Sequence, residues 1–298
     1  MIPQNIALLT DSCADLSPQL AADNHIYVLP LRILCADGEY LDGVDIRGAD
    51  IYERLHRGEL PQTSLPSTEN LGEILKQIRE DGYDGVIAVM LSSGLSGTYN
   101  LVRLAEEYAD LPLCAFDSKS GSLGQGLTLL QLAQDIQNGM GWTELTQQRA
   151  PQLIAGSHPF FSVDTLEYLQ KGGRIGKVTG RAANILGIKP MILFKEGEIF
   201  SAGVARGRQK SFEKALDLLM TYLAEHNGTP DDYCITVGYG YDADEGKRLW
   251  MQTRAALRAK YPTCECNVVL LQIGCTIAVH TGPYALGMGV MRRWKKQG

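Results

Sequence analysis

The chain has 298 residues, of which 45% are hydrophobic and 21% are charged, and its formal net charge is −6. This composition is typical of globular proteins, and the length favours two domains over one core. The acidic balance and the lack of a basic patch argue against a nucleic-acid partner. The longest apolar runs fall far short of the roughly 20 residues that a membrane span needs, and residues 1–4 do not resemble a secretory leader. We therefore expect a cytoplasmic protein without stable membrane insertion.

The cysteines and histidines indicate no metal site. The seven cysteines are an odd number and are scattered mostly through apolar segments, which favours reduced core residues. Cys264 and Cys266 are the only close pair, and without a second pair or a nearby histidine they make a poor zinc site. We expect no metal and no cofactor.

The N-terminal third alternates predicted strands and helices. Residues 6–10 are predicted to form a strand, and Ser17 before a proline is typical of a helix start. A second strand is predicted at 27–35, interrupted by Pro30, and a short helix follows it. This alternation indicates an α/β fold.

A loop stiffened by two prolines follows at residues 61–68 and leads into an amphipathic helix. Ser67 or Thr68 is predicted to cap that helix, which leaves Thr63 and Ser64 without a capping role. Two interpretations of Thr63 remain open. It faces the crevice at the carboxyl ends of the strands, where doubly wound sheets bind ligands, or it stabilises its own turn.

The central element is the apolar run at residues 86–91, which predicts a strand buried on both faces of a parallel sheet. A loop of serines and glycines follows, and then a helix begins. Such a loop gathers free backbone N–H groups and the positive end of a helix dipole, so it favours an anion.

The type of anion is limited by what this loop lacks. It has no lysine of a Walker loop, no dinucleotide-loop spacing, and no final glycine of a nucleophile elbow. Its hydroxyl groups suit a small, weakly charged group such as a carboxylate. The alternative, that Ser96 or Thr98 only caps the helix, stays open at this point.

The pattern changes near residue 156. We predict an N-terminal domain at 1–156 with a Rossmann-like parallel sheet and a C-terminal domain at 157–298 with a mixed sheet and helices, with the ligand site at their interface. A hairpin is predicted at 192–205. Residues 277–279 are predicted to continue the sheet, which places His280 at a strand end.

Two charged or titratable residues of this second half are candidates for the site. His280 either donates to a carboxylate or is a core histidine bonded to the backbone. Arg174 follows two adjacent glycines that let the chain turn sharply. It either pairs with an anion or a partner protein, or it is an ordinary surface arginine.

Seven motifs, in order, resemble the DegV family, and the match covers nearly the whole chain. The motifs are TDS at 10–12, PL at 30–31, TSLP at 63–66, LSSGLSGTY at 91–99, DSK at 117–119, LQKGGRI at 169–175 and HTGP at 280–283. The resemblance implies two α/β domains with a long-chain fatty acid held in a tunnel and its carboxylate near the domain interface.

The resemblance also implies roles for particular residues. The carboxylate-binding threonine and serine of the family fall on Thr63 and Ser96, and a histidine and an arginine of some members fall on His280 and Arg174. The predicted carboxylate site also includes Ser93 of the same loop.

A partner is implied by the same resemblance. Arg206 resembles an arginine that helps docking to a kinase. Members with an assigned role present the acid to a dihydroxyacetone-kinase-like fatty acid kinase, which makes the acyl phosphate used in phospholipid synthesis. The chain departs from the family at Leu65, where glutamine is common, and at Tyr284, where glycine usually follows Gly-Pro. Both departures bear on chain selectivity near the head group.

The expected function is therefore non-covalent binding of a long-chain fatty acid without catalysis. One alternative is a hydrolase or phosphotransferase that uses Ser96 or Ser93, although no Asp–His partner spacing supports it. The other alternative is a binder of some other small anion.

Overall fold

The computed structural model describes residues 2–178 and 187–293. The strands in these ranges are β1 (Ile6–Asp11), β2 (Ile26–Leu29), β3 (Arg32–Cys35), β4 (Gly38–Leu41), β5 (Gln62–Ser64), β6 (Gly85–Met90), β7 (Leu113–Asp117), β8 (Ser157–Ser162), β9 (Ile188–Lys195), β10 (Glu198–Arg206), β11 (Tyr233–Tyr239), β12 (Val268–Gln272) and β13 (Leu286–Arg292). The helices are α1 (Pro18–Asp23), α2 (Gly48–His56), α3 (Thr68–Glu80), α4 (Thr98–Ala105), α5 (Leu123–Gln137), α6 (Trp142–Glu144), α7 (Ala150–Ala155), α8 (Glu167–Lys171), α9 (Arg208–Glu225), α10 (Ala243–Lys260) and α11 (Cys275–Thr281). Among them, none combines the length and the apolar character needed to cross a membrane.

The N-terminal part forms a parallel sheet with the strand order β2-β1-β6-β7. All six residues of β6 are buried, as the apolar run predicted. Val86 and Met90 pack with the apolar sides of α3 and α4, whereas Ile87 and Val89 pack with α5 on the opposite face. Because each face of a strand carries alternate residues, helices on both sides of the sheet require this uninterrupted apolar sequence.

The C-terminal part forms a six-stranded mixed sheet with the order β10-β9-β8-β13-β11-β12. Only the β11–β12 pair is parallel, and the predicted hairpin is present as β9 and β10. The α/β fold class is confirmed. The division at residues 156 and 157 stays a prediction, and the first strand of this sheet begins at Ser157.

Helix α5 connects the two sheets. It is buried around most of its circumference, which is typical of a helix covered on all sides rather than on one face. Ile87 of the parallel sheet packs in the same core as Leu129 of α5. On the other side of the helix, the hydroxyl of Ser157 donates to the carbonyl of Gly124 at 3.1 Å. The two sheets therefore share one helix, and this fixes the crevice between them.

The predicted strand at 27–35 is wrong as a single element. Its first part is β2 of the parallel sheet, and its second part is β3 of a separate three-stranded sheet with the order β4-β3-β5. Pro30 lies at the break, where it cannot donate a backbone hydrogen bond to a sheet. Thr63, predicted in a loop, lies in β5, where it pairs with Ile33 of β3.

The predicted strand at 277–279 is also wrong, because these residues belong to helix α11. The side chains of two buried aspartic acids hold the start of this helix. Asp15 accepts from the backbone N–H of Gly274 at 2.9 Å, and Asp42 accepts from the backbone N–H and the hydroxyl of Thr276 at 3.1 and 2.6 Å. These bonds satisfy N–H groups that a helix start leaves free. His280 therefore lies in the last turn of a helix and not at a strand end.

Candidate functional site

A cavity of about 270 Å³ lies between the carboxyl end of β6, the six-stranded sheet and helix α11, and we call it the inner cavity. Most of its wall is apolar, with the members Leu31, Leu65, Leu91, Leu95, Phe161, Leu169, Ile192, Phe194, Ile199 and Ile277. The polar members are Thr63, Ser64, Ser96, Ser122, Arg174, Thr276, His280 and Thr281. This composition suits a ligand with an apolar body and one polar group.

Thr63 and His280 form a hydrogen bond at one end of the inner cavity, where Thr63 Oγ1 lies 2.9 Å from Nε2 of His280. Burial and the positive charge of Arg174 lower the pKa of His280 from 6.5 to about 4, so the ring is neutral at neutral pH. Its Nδ1 is buried and has no partner among the residues that the structure describes.

These facts assign the proton of the neutral ring. If Nδ1 carried it, a buried N–H would be left without an acceptor, which is the costlier arrangement. We therefore place the proton on Nε2, which donates to Thr63 Oγ1. The hydroxyl hydrogen of Thr63 is then free to donate to a ligand.

Because Gly172 has no side chain, the imidazole ring of His280 can lie directly against its backbone. A Cβ atom built at residue 172 would lie 2.2 Å from Nδ1 of His280, closer than any real contact. Because the backbone of Gly172 has an ordinary φ of −76°, this glycine is required by the close approach of the imidazole and not by its own conformation.

Ser96 lines the inner cavity and also bonds to the start of α4. Its Oγ lies 2.9 Å from Oγ1 of Thr98 and accepts from the backbone N–H of Thr98 at 3.3 Å. Ser96 thus lines the cavity and also accepts from the first N–H of α4, although the N-cap residue of this helix is Gly97. A hydroxyl has one hydrogen and two lone pairs, so when Ser96 accepts both bonds from Thr98 it still offers its hydrogen to the cavity.

Arg174 is the only charged residue among the described residues that line the inner cavity. Its Nε donates to the carbonyl of Leu95 at 3.1 Å, and its Nη1 donates to the carbonyl of Gly172 at 2.6 Å. Gly173, directly before Arg174 in the chain, has a φ of +68°, a conformation that favours glycine. The guanidinium is therefore fixed by the backbone on both sides, and it carries positive charge to the polar end of the cavity.

The structure brings Thr63, Ser96, Arg174 and His280 together at one cavity, but Ser93 lies outside its lining. Ser93 is exposed, and its hydroxyl donates to the carboxylate of Asp117. Lys119 donates to the same carboxylate at 2.7 Å. A role of Ser93 in binding a carboxylate stays a prediction that this position does not support.

Three other predicted residues lie at the surface. Leu65 lines the inner cavity and is 39% exposed, so its departure from the family does bear on the cavity. The hydroxyl of Tyr284 lies 2.9 Å from Nδ1 of His56, away from this lining. Arg206 is exposed at the end of β10, which is compatible with docking, and that role stays a prediction.

The serine-hydrolase alternative finds no catalytic pair here. Within residues 2–178 and 187–293, no serine hydroxyl is hydrogen-bonded to a histidine, and the only hydroxyl bonded to His280 is that of Thr63. No carboxylate accepts from the other nitrogen of His280. The geometry therefore lacks the base and the orienting acid that activate a serine.

The apolar wall contributed by the six-stranded sheet was missed by sequence reasoning. It consists of Phe161 of β8, Ile192 and Phe194 of β9, and Ile199 of β10. The sequence carried one usable signal, which is that Ile192 and Phe194 are two positions apart and so share a face of their strand. Nothing in the sequence indicated which layer that face covers.

An apolar cavity that ends in hydroxyl groups, a neutral imidazole and a guanidinium, placed between two sheets of an α/β protein, is typical of small-molecule binding sites. Comparison with known proteins gives the family. A family model described as an uncharacterised protein of the DegV family matches residues 5–293, and the chain belongs to this family. The resemblance seen in the seven motifs is thereby confirmed.

Individual relatives cover nearly the whole chain. A DegV domain-containing protein of Clostridium acetobutylicum is 32% identical over 292 residues, which is 97% of this chain and 100% of that protein. The crystal structure of a stearic acid-binding protein from Eubacterium ventriosum is 34% identical, with a TM-score of 0.85, over 97% of this chain and 98% of that one. A fatty-acid-binding DegV family protein from Thermus thermophilus is 29% identical, with a TM-score of 0.84, over 97% and 99%.

Proposed function

We propose that this protein binds a long-chain fatty acid non-covalently in the inner cavity, with the carboxylate at the end formed by Thr63, Ser96, Arg174 and His280. The observation that carries the proposal is that a mostly apolar cavity is lined by these four polar groups, of which Thr63 and His280 are hydrogen-bonded to each other. The similarity to a stearic acid-binding protein supports the same ligand class.

The tail provides most of the affinity in this proposal. Burying about 12 methylene groups at about 0.8 kcal/mol each gives roughly 10 kcal/mol before the costs of association. Leu91 is only 5% exposed and Phe161 and Ile192 are 2% exposed, so this wall is held in place by the core behind it. A chain that enters the cavity therefore loses its contact with water along most of its length.

The polar end sets the position of the acid. The hydroxyl groups of Thr63 and Ser96 donate to the carboxylate, and His280 orients the first of them by donating to its oxygen. Hydrogen bonds to a charged group contribute about 1.5 to 3 kcal/mol each. Arg174 balances the negative charge, which would otherwise oppose burial.

We further propose that the protein acts as a carrier and presents the bound acid to a dihydroxyacetone-kinase-like fatty acid kinase for acyl-phosphate formation and phospholipid synthesis. Two observations support a carrier. No serine in the described ranges has a catalytic partner, and three of the four head-group residues, Thr63, Arg174 and His280, also border a second cavity that extends to the exposed Gln62 and Lys171. The carboxylate end is therefore within reach of a partner enzyme.

Mass spectrometry of lipid extracted from the purified protein tests the first proposal. Free fatty acid at about one equivalent per chain is the expected result. An acyl group covalently bound to serine would favour the hydrolase alternative, and the absence of lipid would favour another small anion. A phosphorylation assay with a fatty acid kinase, with and without this protein, then tests the carrier role, which requires that acyl phosphate forms only when both proteins are present.

A further inference from the structure

A cavity of about 430 Å³, which we call the side cavity, lies at the carboxyl ends of β1 and β2, against the loop before α2 and the start of α11. Most of its surface is apolar, with members such as Leu16, Val28, Val44, Leu271 and Ile273. Within the part of the chain that the structure describes, it shares no lining residue with the inner cavity. The protein thus holds two mostly apolar cavities that are separate from each other.

Three hydrogen-bonded pairs lie between the inner cavity and the side cavity, and we call them the septum. In each pair, one residue lines the inner cavity and the other lines the side cavity. The pairs are Ser122 with Asp15, Thr276 with Asp42, and Leu31 with Ser12. At these positions the wall between the two cavities is a single bonded pair thick, and it is polar although both cavities are mostly apolar.

The polar groups of the septum are buried and paired. The hydroxyl of Ser122 donates to Asp15, and the hydroxyl of Thr276 donates to Asp42 at 2.6 Å. Both aspartic acids also accept backbone N–H groups at the start of α11. Burial raises the pKa of Asp15 to about 8, so its carboxyl group is largely neutral at pH 7. A neutral carboxyl group that is bonded to a hydroxyl can remain between two apolar spaces at small cost.

Ser122 has a backbone conformation that serine rarely adopts. Its φ is +53° and its ψ is −129°, in a region that favours glycine, and its side chain is fully buried. A glycine at this position would relieve the strain but would lack the hydroxyl that bonds to Asp15. The strain therefore indicates a use for the hydroxyl group, which is the part of the septum that belongs to the inner cavity.

Helix α11 relates the septum to the polar residues of the site. Thr276 lies in its first turn and His280 in its last, about 6 Å apart along the axis. Ile277 lines the inner cavity between them. An acyl chain whose carboxylate is held near His280 can therefore run past Ile277 to the septum. A chain that went further would break the bonds of the septum and leave buried polar groups against methylene groups, which is costly.

We propose that the septum is the end wall for the acyl chain, and that Ser122 and Asp15 thereby set the longest fatty acid that the protein binds well. The role of these residues rests on the proposed function, because it requires an acyl chain in the inner cavity. Each methylene group that fits before the septum adds to the affinity, since it loses its contact with water. The next carbon would meet a hydrogen-bonded polar group instead of an apolar wall, so it adds nothing.

A chain-length series with the full chain tests this proposal. Saturated fatty acids of about 12 to about 22 carbons displace a fluorescent fatty acid from the wild type and from the double variant Asp15→Gly with Ser122→Gly. Both positions have a positive φ, so glycine suits each of them. We expect the wild-type affinity to rise about two- to fourfold per methylene group up to a limiting length and then to stop rising. In the double variant the limit should be longer by about two carbons or more, because the side cavity becomes accessible.

Two further variants make the comparison specific. Asp15→Asn keeps an acceptor for the N–H of Gly274 and a polar partner for Ser122, so it should restore the limiting length of the wild type. Asn227→Gly is the matched control for the introduced glycines. Asn227 also has a positive φ, +49°, but it is exposed and lines neither cavity.

Each result separates the role of the septum from the proposed function. A longer limit in the double variant, with Asn227→Gly like the wild type, supports the septum as the end wall. An equal limit in wild type and double variant, or a wild-type affinity that rises across the whole series, would overturn it and leave fatty-acid binding intact. If the double variant fails to fold, Ser122→Gly alone decides, with a limit about one or two carbons longer expected and an unchanged limit overturning the proposal. If no fatty acid of any length displaces the probe from the wild type, the proposed function itself fails.

Discussion

Thr63 and His280 are 217 positions apart in the sequence, and Oγ1 of the first lies 2.9 Å from Nε2 of the second. One residue lies in a short strand of the three-stranded sheet and the other in the last turn of α11. Their hydrogen bond joins two elements from opposite ends of the chain at the polar end of one cavity. The proposed head-group site therefore exists only in the complete fold.

The hydroxyl of Thr63 is the first test of that site. Thr63→Val keeps the branched shape but removes the group that donates to the carboxylate, so we expect the dissociation constant of a long-chain fatty acid to rise about 10- to 150-fold. Thr63→Ser retains a hydroxyl and is expected to bind much more tightly than the valine variant. Displacement of a fluorescent fatty acid measures all three proteins. Equal affinity of the wild type and Thr63→Val would show that the carboxylate is held elsewhere.

The two serines of the central loop provide a matched pair. Ser96 lines the inner cavity, whereas Ser93 is exposed and bonds to Asp117. We expect Ser96→Ala to weaken fatty-acid binding about 10-fold or more and Ser93→Ala to leave it unchanged. Because Ser96 also accepts from the backbone of Thr98, its replacement should lower the free energy of unfolding by about 0.5 to 2 kcal/mol in urea denaturation. A larger binding loss in Ser93→Ala would restore Ser93 to the site and remove Ser96.

The sequence predicts some elements well for a local physical reason. Strand β6 is an apolar run of strand length between turn residues, and the β9–β10 hairpin has a Glu196-Gly197 turn between two apolar segments. Each of these signals lies within the element that it predicts. Motif resemblance likewise selected Thr63, Ser96, Arg174 and His280 without any knowledge of their distances, and the structure places all four in the lining of one cavity.

Other features depend on partners far along the chain, and local patterns cannot contain them. The sequence of α11 is apolar and rich in branched residues, so its periodicity does not distinguish a strand from a helix. The helix start is fixed by hydrogen bonds from the backbone N–H groups of Gly274 and Thr276 to Asp15 and Asp42. These aspartates precede their partners by 259 and 234 positions. The apolar wall from the six-stranded sheet cannot be predicted from the sequence either, because it depends on which layer of the fold each strand face covers.

The lowered pKa of His280 predicts a specific pH dependence of stability. In the unfolded chain the ring binds a proton below pH 6.5, whereas in the folded protein burial and Arg174 delay this until about pH 4. The unfolded state thus binds more protons in this window, and the free energy of unfolding should decrease as the pH falls from 6.5 to 4, by about 2 to 3 kcal/mol from this residue.

The measurement compares urea denaturation of the wild type and His280→Gln across that window. Glutamine does not titrate, so we expect the variant to lose less stability than the wild type between pH 6.5 and pH 4. Parallel curves for the two proteins would mean that His280 titrates alike in the folded and unfolded states, and the enclosed neutral imidazole would then be ruled out.

Gly172 tests whether the position of the imidazole matters in addition to its presence. In Gly172→Ala the new Cβ would lie 2.2 Å from Nδ1 and 2.8 Å from Cε1 of His280, so the ring must leave the position in which it bonds Thr63. The backbone itself accepts alanine, because its φ of −76° is ordinary. We therefore expect a loss of fatty-acid affinity similar to that of His280→Gln, measured by probe displacement, with little change in the helical content of the protein.

The control for this substitution is Gly72→Ala in α3, where an added Cβ would meet no atom within 4 Å. That variant should bind fatty acid like the wild type and gain about 0.5 to 1 kcal/mol in the free energy of unfolding, because alanine favours a helix interior over glycine. The double variant Gly172→Ala with His280→Gln gives the sharper result. If the glycine acts through the imidazole, the two losses of affinity do not add, because a ring that is absent cannot be displaced. Additive losses would instead place the effect of Gly172 on the backbone of the arginine loop.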